Sequence, residues 1–182
     1  VENRAYWCYH LNAEGLLMLP DRLHAYETTP LHELLAVLLR QYRRPLTGRG
    51  VKLTDAEAAE LAEAIVRGEA HPQADAVRAA LVDLMAESEA VLARYGLTFP
   101  DSLAVTMESI GGWETTAEFL EVANEKANAE LRLSTGAALL VALGGTADEA
   151  RLRRWLAALA AQPDDLDGVI ARRVLAELPS RS

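Results

Sequence analysis

The residues able to do chemistry in this chain are few and scattered. Four histidines stand at positions 10, 24, 32 and 71, and none share the i, i+4 spacing that sets two ligands on one helical face. Cys8 and His10 flank Tyr9, so in a strand both side chains would turn to one side. Two ligands do not close a zinc site, and a Cys–His nucleophile pair would still need an orienting group and an oxyanion donor. The sequence contains no Cys-x-x-Cys and no His-Glu-x-x-His. Gly48-Arg-Gly50 lacks the Gly-Lys-Ser/Thr of a phosphate loop. The expectation is therefore no catalytic group, no metal and no cofactor.

Charge is more informative. Arg40, Arg43, Arg44, Arg49 and Lys52 put five cations, with no acid among them, into residues 40–54 of an acidic chain. They could converge on an anion or an acidic partner surface. Equally, Arg40, Arg43 and Arg44 could serve as cations at a helix C-terminus, where the macrodipole favours them. Glu114, Glu118, Glu121 and Glu125 repeat at i, i+4, i+7 and i+11, which lines one side of a helix. Without a facing set of acids or histidines, that row reads as a solvated acidic face. Asn124, Lys126 and Asn128 interrupt the apolar stripe Ala117, Leu120, Ala123, Ala127 and Leu131. At its edge they would meet a partner or bond a neighbouring helix.

The elements that must position these groups are helices. Among 182 residues, 51% are hydrophobic, only 5% are aromatic, and Ala (33) with Leu (30) dominate. That mix favours helix and disfavours a β-sandwich or barrel. The length fits a single domain. Residues 1–29 read as an aromatic arm or short hairpin, because Arg4 to Leu11 is β-prone and Asn12 to Gly15 is a turn signal. Residues 30–182 read as the helical body.

Thr29 and Pro30 look like a helix start, followed by the stripe Leu31, Leu34, Leu35, Leu38 and Tyr42. Thr54 with Glu57 predicts a capping box before Ala58, Leu61, Ala62 and Ile65. Val77 to Tyr95 keeps helical spacing for about five turns and ends at Gly96. A short helix is expected over 102–110 and another from about Glu114 to Leu131, with Gly136 breaking it from, or kinking it into, Ala137–Leu143. Thr146 with Glu149 and then Asp164 or Asp165 would start the last two helices. Leu34, Leu38, Leu81, Leu84, Leu156 and Ile170 are the expected core.

This is an all-α pattern of paired antiparallel helices, either a stacked α-solenoid or an irregular bundle. The C-terminal part resembles HEAT-type helical repeats of the phycobilisome-lyase subgroup. It does so through Leu131 to Gly145, Ala150 to Leu159 and Asp164 to Leu178, with Val141-Ala-Leu-Gly144 about 33 residues before Val174 to Leu178. The resemblance covers about a quarter of the chain, and Gly144-Gly-Thr-Ala-Asp148 replaces the Gly-Asp-Pro-type turn. It implies a rigid array presenting a surface, or a bilin-lyase-like enzyme.

The sequence thus points to a non-catalytic module that binds another protein or a peptide. The alternative is an acidic inhibitor or immunity-type protein that masks a basic site, for which a net charge of −9 is suited. The same charge opposes nucleic-acid binding. With no run near the ~20 apolar residues of a membrane span, no signal-peptide pattern and one Cys, a cytoplasmic protein without membrane contact is expected.

Overall fold

The apolar stripes return as buried rows in the computed structural model, which describes residues 19–104, 116–145, 147–162 and 165–178. Among the described residues eight α-helices follow one another: α1 (Leu19–Thr28), α2 (Leu31–Gln41), α3 (Arg43–Gly48), α4 (Asp55–Arg67), α5 (Ala74–Arg94), α6 (Thr116–Leu143), α7 (Glu149–Ala160) and α8 (Leu166–Glu177). The fold is all-α, and no strand occurs among the described residues. All six expected core residues are buried.

Two helix starts differ from expectation. The helical body begins at Leu19 rather than residue 30, because a proline in the first turn, here Pro20, has no helical hydrogen bond to lose. The rest of the expected arm or hairpin lies outside the described residues. Thr29 does not cap α2: its hydroxyl donates back to the Ala25 carbonyl at 2.6 Å, and Pro30 takes the N-cap position. The Thr54–Glu57 capping box forms in full, with the Thr54 N–H donating to Glu57 Oε2 at 2.7 Å. That bond, then the one from the Thr54 hydroxyl, holds the Glu57 carboxyl below its ordinary range.

Gly136 does not break its helix. Residues 116–143 form one run, and a β-carbon at 136 would lie 2.9 Å from Met85 Cγ. The glycine therefore serves the close crossing of α5 and α6. Of the short helix expected over 102–110, a 3-10 turn at Asp101–Ala104 is described and the remainder lies outside. Thr146 lies outside too, while Glu149 bonds Arg153 at 2.8 Å and Asp148 holds the N-cap of α7. Asp165 caps α8 by accepting from the Asp167 N–H.

Packing closes the chain on itself. α2 pairs with α4, α5 with α6, α6 with α7, and α7 with α8; α8 then meets α1 and α2, while α6 also touches α2, α4 and α8. In a solenoid each repeat meets only its neighbours, so of the two arrangements these contacts describe the bundle. Three arginines fasten helix ends whose last carbonyls have no partner within the helix. Arg173 donates to the Tyr26 and Thr29 carbonyls at 2.7 and 2.6 Å. Arg78 donates to those of Gly144 and Leu143 at 2.9 and 3.0 Å, and Arg172 to that of Ala160 at 2.8 Å. No helix among the described residues is long and apolar enough to cross a membrane.

Candidate interaction surface

The basic segment is held by α2, α3 and the loop to α4. Arg43 pairs with Asp55 Oδ1, and Arg40 Nε lies 3.9 Å from the same oxygen. Arg49 turns the other way, to Glu87 Oε2 of α5 at 2.5 Å, and donates to the Pro45 carbonyl at 3.2 Å. Arg44 and Lys52 are exposed and make no ion pair among the described residues. Three of the five cations are thus answered by two carboxylates on different helices. An arriving anion would compete with Asp55 and Glu87 for them.

The first half of α6 carries the more informative arrangement. Lys126, expected at the edge of an apolar stripe, instead turns inward. Its Nζ pairs with Glu130 Oε1 at 2.7 Å, and both residues are buried, 7% and 8% exposed. Ser134, one further turn along the same face, donates to Asp167 Oδ2 of α8 at 2.8 Å. Beside it the buried Tyr42 hydroxyl donates to the Arg132 carbonyl at 2.9 Å. Burial pushes the Tyr42 phenol well above its ordinary range. Leu38, Ser134, Thr135, Ala138, Asp167 and Ile170 line a small crevice at this seam. Reading the sequence for single apolar stripes placed Tyr42 in one of them but passed over Glu130, Ser134 and Asp167. The i, i+4, i+8 spacing of Lys126, Glu130 and Ser134 was the available signal.

A second face of α6 is open. Leu120 and Leu131, two members of the apolar stripe, are each 45% exposed. Asn124 and Asn128 are exposed between them, and the four residues fall at i, i+4, i+8 and i+11, one row along the helix. Glu121 and Arg132 are exposed on one flank of that row. Glu125 leaves it to accept a hydrogen bond from the Tyr95 hydroxyl at 2.5 Å, with Arg94 Nη2 at 3.4 Å. That bond, more than burial, raises the Tyr95 pKa. Of the expected acidic row, Glu118 and Glu121 are exposed and Glu114 lies outside the described residues.

Cys8 and His10 lie outside the described residues. His24 is exposed, His32 is half-buried, and His71 Nδ1 accepts from the Gln73 N–H at 3.2 Å. Among the described residues no three of His, Cys, Asp and Glu come together as metal ligands. Comparison with known proteins gives no match, whether to a family model, to a curated protein or to a solved structure.

Proposed function

We propose that this protein is a non-catalytic interaction module that binds another protein or a peptide along the outer face of α6. One observation carries the reading: the helix buries the charged pair Lys126–Glu130 and leaves Leu120 and Leu131 in solvent on a single row. Desolvating two charges costs several kcal/mol per ion before their attraction is counted. Leaving a leucine 45% exposed forgoes roughly half of the ~1.5–3 kcal/mol that its full burial would give. A helix serving only the monomer's stability would be expected to present the reverse arrangement. Asn124 and Asn128 between the leucines offer amide donors and acceptors without the desolvation cost of a charge.

The test is affinity capture with the wild-type chain and with Leu120→Glu/Leu131→Glu, both shown to be folded by circular dichroism. The expected result is a protein retained by the wild type and lost by the variant. Equal retention by the two would remove the α6 face from the binding account.

A further inference from the structure

The outer row of α6 is complementary to itself when it runs in the opposite direction. Leu120 and Leu131, Glu121 and Arg132, and Asn124 and Asn128 all straddle one midpoint, residue 126, to within half a residue. All six are exposed, and Glu121 and Arg132 make no ion pair among the described residues. Eleven residues separate Glu121 from Arg132, which at 3.6 residues per turn leaves them about 20° apart around the helix. They therefore occupy the same flank.

We infer that the partner for this face is a second copy of the chain, docked antiparallel across a two-fold axis at the level of residue 126. This rests on the interaction reading above and names its partner. A two-fold perpendicular to the helices keeps each flank on its own side, so Glu121 of one protomer faces Arg132 of the other, twice. Leu120 of each copy meets Leu131 of the next, and Asn124 meets Asn128. Ala127, half-buried at the border of the row, is small enough to let the helix axes come close. The row from Leu120 to Arg132 spans roughly 20 Å of helix. One such face falls short of the ~800 Å² per partner of a standard interface, so the dimer is a weak, concentration-dependent one.

Sedimentation over a concentration series tests both the dimer and its direction. Glu121→Arg and Arg132→Glu each place two like-charge pairs across the axis and should weaken self-association on the order of tenfold, less in high salt. Mixing the two variants should restore wild-type affinity. In that heterodimer both pairs are complementary again. A parallel register, which sets like charges together already in the wild type, would instead leave the single reversals unchanged and make the mixture tighter than the wild type. Leu131→Glu should leave a monomer. A wild type that stays monomeric throughout, or single reversals that associate like the wild type, would overturn the dimer. The interaction reading fails separately, if Leu120→Glu/Leu131→Glu retains everything the wild type captures.

Discussion

From Leu133 to Leu143 every residue of α6 is buried, whereas between Ala117 and Arg132 the same helix exposes Leu120 and Leu131 and turns Lys126 and Glu130 inward. The second half is apolar on nearly all sides because α5, α7 and α8 surround it, which is the composition that full burial selects. The first half is mixed: Lys126 and Glu130 are buried beside Ala123 and Ala129, while Leu120 and Leu131 are exposed among Glu121, Asn124, Asn128 and Arg132. No break separates the two, since the helix runs through Gly136. The difference lies in what each half is packed against.

The contrast can be broken at its most costly point. Lys126→Met strands the Glu130 carboxylate among buried neighbours and should destabilise the chain by about 3–5 kcal/mol. Combining it with Glu130→Leu should recover most of that loss, because an apolar pair of similar volume often replaces a buried ion pair without penalty. Guanidinium denaturation of the single and double variants measures both. A single variant as stable as the wild type would mean that the pair is solvated.

The two halves should also differ in how they tolerate truncation. Leu139→Ala opens a cavity in the second half and should cost about 2–5 kcal/mol. Leu120→Ala removes an exposed side chain and should stay within about 0.5 kcal/mol of the wild type at concentrations where the chain is monomeric. Thermal or denaturant unfolding of the pair, run side by side, would show whether the boundary between core and surface lies where the burial pattern puts it.

Much of the bundle was legible in the residues. Leu31, Leu34, Leu35 and Leu38 keep strict helical spacing, and Thr54 with Glu57 is a local device that needs no tertiary context, so both were recoverable. The start of α1 was not, because Pro20 reads as a break unless the first turn is recognised around it. Gly136 misled for a related reason: its use is the approach of Met85 from another helix, and sequence spacing carries no record of a neighbour. The candidate face was half legible. Asn124 and Asn128 were singled out as irregularities in an apolar stripe, but spacing alone did not say that Ala123 of that stripe would be buried and Leu120 and Leu131 exposed. Which of two competing faces goes inward was decided by α5 and α8, through contacts such as Ser134 with Asp167. The basic cluster shows the same limit, since Asp55 and Glu87 come from two other helices.

Leu131 and Leu133 stand two residues apart on α6, one 45% exposed and the other fully buried. The most direct test of the account is therefore the denaturation midpoint of Leu131→Ser against Leu133→Ser, both at a dilution where the chain is monomeric. The account predicts that Leu131→Ser stays within about 0.5 kcal/mol of the wild type, while Leu133→Ser loses at least about 2 kcal/mol. Equal losses, or the larger loss at Leu131, would contradict it by placing the leucine row of α6 in the core.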